Sequence, residues 1–553
     1  MVERFGLTLR PALSAALALL GGALLVAAFA PLELWGLQPL LMAGLYALNR
    51  HARPGQVLLQ GWLFGLGWLS VGLWWLYISL NTYGHLPPAL AAGGVLLLCA
   101  GLALYVALAL GFWARWLRRE GGPGVAVLNA LSWSAMMLLA DVARGTWLTG
   151  FPWIAQGYAH TTGLFAGLPL WLGTYGTGFA ATLSGVALVE LVLARAALQR
   201  LAWAGTAALP VLLSLTLPQA WTTPTGALRV RLFQTAIDPL VKFQPAEISQ
   251  ALTWHQRIVR EALGAPQGQS PQLLLTPETS VPLIASQLDA SWWQALAQPL
   301  RERDGVGGEP RHALLLGVFT GDEARGYTNT AVAVTAQWPD SAGSASLAVS
   351  PFQGSAPLGV DAPGDSSGGP YLYGKRHLLP FGEFVPPGFH WFVSLLGIPM
   401  SDQTPAKSAP VLRVAGQRVR PLICYEDLFA QDVSDSVRGT PDDATVLVNQ
   451  SNLAWFGPRL IQAQHLQFSR MRALEFQRPL VRATNTGATA AVDERGHVTA
   501  ALPPDQPGQL DVTVTGRTGL TPYARWLAAW GHAPLVLLAL ALVLAAGLRR
   551  RTL

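Results

Sequence analysis

The sequence predicts two architectures in one chain, an α-helical membrane bundle of eight transmembrane helices and an α/β sandwich of the αββα kind. Three observations carry this. Of the 553 residues, 51% are hydrophobic and only 12% charged, against about 25% charged in ordinary soluble domains. Apolar stretches of spanning length gather at the two ends. Between them, short apolar runs alternate with helical patterns, the signature of mixed α/β packing.

Roughly 17 to 25 apolar residues suit a bilayer core. Such stretches run at 11–30, 31–48, 56–79, 89–114, 124–141, 163–194 and 201–217, with an eighth at 529–548. The stretch at 163–194 is long, but its interior Gly173, Gly176, Gly178 and Gly185 supply no charged break, so it counts once. With the N-terminus inside, Arg4, Arg10, Arg50, Arg53, Arg115, Arg118, Arg119, Arg195, Arg200, Arg549, Arg550 and Arg551 all fall in the cytoplasm, and the short outer loops keep only Arg144. Cytoplasmic loops collect Lys and Arg, so eight spans with both termini cytoplasmic is the expected topology. Splitting 163–194 in two would turn the terminal Arg triplet outside. A basic start and Ala28-Phe29-Ala30 also fit a cleaved signal peptide, and cleavage would leave the sidedness of the later segments unchanged.

The expected domains are a seven-helix bundle over 1–217, an extracytoplasmic domain over 218–528, and an eighth helix with a basic cytoplasmic tail over 529–553. The net charge of +6 divides unevenly between them. Residues 218–528 hold 24 Lys and Arg against 26 Asp and Glu, and the remainder holds 13 against 5. The basicity therefore belongs to membrane flanks, and no nucleic-acid partner is expected.

Strand-like runs in the middle segment are Leu228 to Phe233, Leu273 to Leu275, Ala313 to Val318, Val419 to Cys424 and Thr445 to Asn449. Their leucine-rich and β-branched character fits buried strands. Helical patterns lie at about 246–263, 290–302 and 458–475, and a Gly, Ser and Pro cluster at 353–370 reads as a surface loop.

Only two cysteines exist, Cys99 and Cys424, so neither a disulfide framework nor a Cys-based zinc site can be built. Cys99 lies inside the fourth apolar stretch and reads as a packing residue. Cys424 ends the run Pro421-Leu422-Ile423 and is followed by Tyr425-Glu426, which leaves two readings open, a buried structural thiol or a nucleophile projecting from a strand end. A nucleophilic thiol needs a base, since its unperturbed pKa is about 8.5. Glu278, just past Leu273-Leu274-Leu275-Thr276-Pro277, ends another apolar run. Lys375, in Tyr373-Gly374-Lys375-Arg376-His377, is one of only three lysines, with Lys242 and Lys407. A compact ammonium suits a point charge beside a developing oxyanion. His377 and His465 leave a Cys-His dyad as a rival arrangement. No histidine pair has zinc-protease spacing and no phosphate-cradling loop occurs, so no metal and no cofactor are expected.

Together these phrases resemble the nitrilase superfamily, whose members place Glu, Lys and Cys, in that order, at three separated strand ends. The membrane scaffold around such a domain resembles one branch, the apolipoprotein N-acyltransferases of bacteria. Further phrases are similar to that branch: Phe151-Pro152-Trp153 with Gly157-Tyr158, Ala454-Trp455-Phe456-Gly457, His465 with Arg470, Arg472 and Glu475, Arg478-Pro479, and Arg482 with Asn485-Thr486-Gly487. Leu453 stands where relatives usually carry Asp, and Phe243 where Trp is common.

The resemblance implies a nitrilase-like fold with Cys424 as nucleophile, Glu278 as general base and acid, and Lys375 as stabiliser of the tetrahedral intermediate. It also implies Glu383 as an accessory carboxylate, Tyr425 and Glu426 as residues flanking the nucleophile, and Phe243, Trp391, Trp455 and Tyr158 as substrate or lid contacts. The implied partners are a phospholipid acyl donor, a diacylglyceryl-modified apolipoprotein acceptor and the bilayer, with the chain a monomer in the bacterial inner membrane. The apolar run from Phe384 to Met400 is a candidate lid that shields an acyl-enzyme from water. Two other readings use the same sequence: a membrane-tethered amidase with water as acceptor, and a transporter or scaffold carrying an inactive domain.

Overall fold

The computed structural model describes residues 10–266, 268–322, 326–339, 370–386, 388, 390 and 402–548. The chain divides into two compact units, Met1–Ala220 with Ala529–Leu553, and Trp221–Ala528.

The first unit is helical. Prolines in the first turn, where a missing N–H costs nothing, open the helices Pro11–Leu25, Pro54–Gly72, Pro88–Phe112, Pro123–Thr146 and Pro169–Leu193. Small residues let two of them touch: a Cβ on Gly22 would stand 1.9 Å from the Phe64 carbonyl oxygen, and one on Gly67 2.2 Å from that of Leu19. Among the described residues, five helical segments are long and apolar enough to cross a membrane, or seven if each of two bent pairs is one span. The expected span at 56–79 is one such pair, Pro54–Gly72 and Leu76–Tyr83, bent by 64°, and the expected span at 529–548 falls on the second helix of the other pair, Ala533–Leu548. Within 163–194 the helical segment is Pro169–Leu193, interrupted by a kink at Gly173, whose φ is 65°.

The expected span at 31–48 shortens to Leu37–Asn49, 13 residues. At 1.5 Å per residue that is about 20 Å, less than the roughly 30 Å of a bilayer core. Hydropathy alone hid the reason: this helix buries Gln38 and Asn49, and Gln38 donates to Gln156 and Thr182 at 2.9 Å. Arg144, the exception to the charge pattern, is also buried. It pairs with Asp141 at 3.2 Å and donates to the carbonyls of Phe151 and Trp153 at 2.9 Å, so it clamps a loop.

The second unit contains two six-stranded sheets. The first orders β12 (Gly508–Thr518), β1 (Thr223–Gln234), β2 (Leu273–Leu275), β3 (Ala313–Asp322), β4 (Gly326–Thr335) and β5 (Tyr371–Gly374). The second orders β11 (Val498–Ala501), β10 (Ala490–Val492), β9 (Leu480–Thr484), β8 (Val446–Ser451), β7 (Gln417–Ile423) and β6 (Leu412–Val414). Each has a parallel centre, β1-β2-β3 and β7-β8-β9, with antiparallel flanks. Central parallel strands are covered on both faces, which is why β2 and β8 are buried along their whole length.

Helix Pro245–Leu263 buries Ala251, His255, Ile258, Val259 and Ala262, one face at helical spacing. With helix Ala290–Asp304 it covers Phe233, Leu274, Leu314 and Leu316 of the first sheet. Helix Leu460–Phe476 packs Ala473 and Phe476 against Leu422, Leu447 and Leu480 of the second. Gln450 of β8 donates 2.7 Å to the Thr276 carbonyl beyond β2, tying one sheet to the other. The layers are helix, sheet, sheet, helix.

Candidate active site

Three strand ends supply the chemistry. β2 runs out through Thr276-Pro277 into Glu278, β5 into Lys375, and β7 into Cys424. Each departure is tightly specified. Gly317 on β3 lies under the Glu278 turn, where a Cβ would stand 2.4 Å from Thr279 N and 2.6 Å from the Pro277 carbonyl oxygen. Cys424 has φ +50°, a left-handed backbone that costs a non-glycine residue of order 1–3 kcal/mol and clusters at functional sites. A short 3₁₀ turn, Cys424–Leu428, follows it.

Glu278 is 7% exposed, Cys424 8% and Lys375 1%. Glu278 Oε1 accepts from Asn329 Nδ2 at 2.7 Å and from Lys375 Nζ at 3.4 Å, and its Oε2 accepts from the Asn452 backbone N–H at 2.8 Å. Lys375 Nζ also donates to Glu383 Oε1 at 2.6 Å, and the other Glu383 oxygen accepts from Leu379 N at 2.8 Å. Asn329 serves twice, since its carbonyl accepts from Lys375 N at 2.8 Å.

Burial pushes the Cys424 thiol well up, with Glu278 and Glu383 adding to the rise, while Lys375 and the Asn452 N–H pull it down. The resting thiol is therefore neutral and needs a proton acceptor beside it. Burial works against the Lys375 charge, but Glu383 and Glu278 outweigh it and hold the pKa above the ordinary range. Glu383 is raised by burial and by Glu278, against Lys375.

Glu426 is a buried staple. Its Oε1 accepts from Arg376 N at 2.7 Å and His377 N at 3.3 Å, and its Oε2 from Tyr373 OH and Ile423 N, both at 2.7 Å. One carboxylate thus joins the strand end that carries Lys375 to the one that carries Cys424. The Tyr425 side chain packs edge-on to Phe429, ring centroids 5.1 Å apart. Neither histidine suits a thiol base. His377 turns to Asp432 at 3.2 Å and stacks on Phe429. His465 is held by Arg482 at 2.9 Å, and burial with that neighbour drives its pKa far down.

The other expected contacts separate. Phe243 is exposed on the second unit and Trp455 half-buried in the turn Ala454–Phe456, whereas Tyr158 is buried in the helical unit. Trp391, with the rest of 391–400 in the candidate lid and most of the 353–370 loop, lies outside the described residues.

Sequence reasoning missed Asn329, Asn452 and Lys242. Asn329 lies in the polar run Tyr327-Thr328-Asn329-Thr330, which was not read as a strand. Lys242 Nζ donates to Thr279 Oγ1 at 2.7 Å, and its rarity was the one available signal. Asn485 clamps the segment before Lys242, accepting from Thr235 Oγ1 at 2.7 Å and Ile237 N at 2.9 Å, and donates to Asn452 Oδ1 at 3.1 Å.

Residues 21–187 match the family described as apolipoprotein N-acyltransferase N-terminal domain, and residues 361–523 match carbon-nitrogen hydrolase. The apolipoprotein N-acyltransferase of Ralstonia nicotianae is 41% identical over 545 residues, covering 97% of this chain and 94% of that protein. That of Verminephrobacter eiseniae is 39% identical, covering 90% of each, and that of Azotobacter vinelandii is 35% identical, covering 97% and 95%. The chain therefore belongs to the apolipoprotein N-acyltransferase family and is an acyltransferase built around a carbon-nitrogen hydrolase domain.

Proposed function

We propose that this protein moves a fatty acyl chain from a phospholipid through a Cys424 thioester to the α-amino group of a diacylglyceryl-modified N-terminal cysteine. Glu278 takes the proton from Cys424 Sγ, and the thiolate attacks the ester carbonyl. Lys375 and the Tyr425 backbone N–H stabilise the oxyanion. Collapse breaks the ester C–O bond, and protonated Glu278 gives its proton to the leaving lysophospholipid alkoxide. The neutral amine then attacks the thioester carbonyl. Glu278 takes the surplus amine proton as the C–S bond breaks, and returns it to the thiolate. A thioester exchanged for an amide makes the second step favourable.

The observation that carries this reading is the buried convergence of Glu278, Lys375 and Cys424 at three strand ends. Glu383 is the counter-ion that fixes Lys375, and Glu426 positions both strand ends. Residues 218–528 are the catalytic domain, and the Arg distribution supports its position on the outer side of a bacterial inner membrane with both termini cytoplasmic. Counting Leu37–Asn49 as a short span and each bent pair as one gives the eight spans that this sidedness needs.

The test incubates purified protein with acyl-labelled phospholipid and no acceptor. A hydroxylamine-labile label on Cys424 is expected. An unlabelled wild type, or labelling that persists in Cys424→Ala, overturns the reading.

A further inference from the structure

Lys242 is 6% exposed, yet no carboxylate lies within ion-pair distance of it among the described residues. Among the described residues its ammonium donates to the neutral hydroxyl of Thr279, the residue after Glu278, and stands 5.9 Å from the Phe243 ring centroid. Burying an ammonium without a counter-ion is costly unless a nearby anion compensates it. The anion that acts on Lys242 is Glu278.

Counting charges explains why a second cation is useful there. Glu278 and Glu383 are two carboxylates facing one cation, Lys375, so with both carboxylates ionised this buried group carries a net charge of −1. Moving the Cys424 proton to Glu278 relocates that charge onto sulfur but does not remove it. The surplus opposes every state of the site that holds an anion at Glu278, at the thiolate or at the oxyanion.

We propose that Lys242 is a positioning residue of the acyl-transfer site, the second buried cation that neutralises the Glu278–Glu383–Lys375 group and, through Thr279, fixes the turn carrying the base. This rests on the Cys424 acyl-enzyme reading and extends it. Neighbouring contacts hold the arrangement in place. Asn485 grips residues 235–237 just ahead of Lys242 and, through Asn452, reaches the N–H that holds Glu278. The Lys242 backbone N–H is itself tied to the Asp238 carbonyl at 3.1 Å.

A titrating cation in this position gives the reaction an alkaline limb. Burial lowers the Lys242 pKa to about 8, with Glu278 pulling the other way, so its charge is present below about pH 8 and lost above it. The groups around it are Glu278, Glu383, Lys375, Cys424, His255 and Asp238. Burial holds His255, which meets Ser280 beside this turn, neutral with a pKa of about 4. Lys375 and Cys424 are both held far above their ordinary values, and Asp238 faces solvent at the start of the Lys242 turn.

The experiment measures single-turnover acylation of Cys424 by phospholipid from about pH 6 to about pH 10 in the full-length protein, in wild type, Lys242→Met and Lys242→Arg. Wild type is expected to slow as pH passes about 8. Lys242→Met is expected to be roughly tenfold slower at neutral pH, with its acidic limb moved up by roughly one pH unit, and to lack the alkaline fall. Lys242→Arg, whose charge does not titrate here, is expected to keep neutral-pH activity and hold it past pH 8. A merely structural lysine would change rates without moving these limbs. Both variants reproducing the wild-type profile, or Lys242→Arg still falling at about pH 8, overturns the proposal. Should Lys242→Met fail to fold, Lys242→Arg alone decides between these outcomes. If wild type forms no acyl-enzyme, the catalytic reading fails separately, and Cys424 alkylation by iodoacetamide over the same pH range tests Lys242 on its own.

Discussion

Lys375 Nζ lies 2.6 Å from Glu383 Oε1, nearer than the 3.4 Å that separates it from Glu278. The cation expected to stabilise the oxyanion is thus anchored by the carboxylate other than the proposed base. Breaking a buried ion pair by removing one partner costs about 3–5 kcal/mol. Glu383→Ala should lower the melting temperature markedly and slow Cys424 acylation, because Lys375 then leans on Glu278 alone. Glu383→Gln, which still accepts a hydrogen bond, should fall between the two. Differential scanning fluorimetry alongside an acylation time course checks both, and an unaffected Glu383→Ala would contradict the anchoring role.

Glu278 and Lys375 are expected to fail differently. Removing the base should slow acylation by about 10² to 10⁴, and Glu278→Gln, which keeps one acceptor oxygen but turns its NH2 on either the Asn329 or the Asn452 donor, should also lose some stability. Lys375→Met removes the oxyanion stabiliser, which is worth about 10² to 10³, and also leaves two buried carboxylates facing each other. Its stability loss should therefore exceed that of Glu278→Gln. Equal melting temperatures for the two variants would count against this charge accounting.

The Glu278 turn rests on Gly317, with no room for a side chain beneath it. Gly317→Ala should cost about 1–3 kcal/mol as an overpacking change and should reduce acylation further than the same stability loss placed elsewhere. The control is Ala473→Val, in the packed interface between helix Leu460–Phe476 and its sheet. If both variants lose activity in the same proportion to stability, the turn is not a positioning element.

Stability should weaken in acid through His255. Its Nδ1–H donates to the Ala251 carbonyl at 2.7 Å and Nε2 accepts from Ser280 Oγ at 3.0 Å, and burial lowers its pKa from 6.5 to about 4. Between those values the unfolded chain takes a proton that the folded one refuses, so stability falls as pH drops through that window. The magnitude is on the order of 3 kcal/mol. Melting temperatures of wild type and His255→Gln, compared from pH 7 down to about 4, should converge as the pH falls. Parallel curves would exclude the histidine.

Much of the site was legible because its residues end apolar runs. Glu278 and Cys424 each follow a strand whose buried character shows in the sequence, whereas β5, the four-residue strand before Lys375, was not read as one, and the helices at 245–263, 290–304 and 460–476 lie where helical patterns were expected. Strands β4, β5, β6, β9, β10, β11 and β12 were not read; β12, Gly508–Thr518, is a charged and threonine-rich segment that pairs at an edge with about half its side chains exposed, while β9 and β10 are buried but only five and three residues long. Asn329, Asn452 and Lys242 escaped for a related reason. Their roles come from contacts across strands, and Asn452 works through a backbone N–H that no side chain advertises. In the helical unit, a 13-residue helix met the hydropathy expectation of a full span because neighbouring apolar loop residues lengthen the stretch.

Transfer from the isolated acyl-enzyme tests the central claim most directly. Protein labelled at Cys424 with a radioactive acyl group, freed of excess phospholipid and mixed with a diacylated lipopeptide bearing a free N-terminal amine, should lose the label from sulfur and gain it as a hydroxylamine-stable amide on the peptide in one turnover. The same label should remain on the protein when the peptide amine is acetylated. Release of free fatty acid in place of the amide, or transfer that proceeds equally from Cys424→Ala protein, would contradict the account.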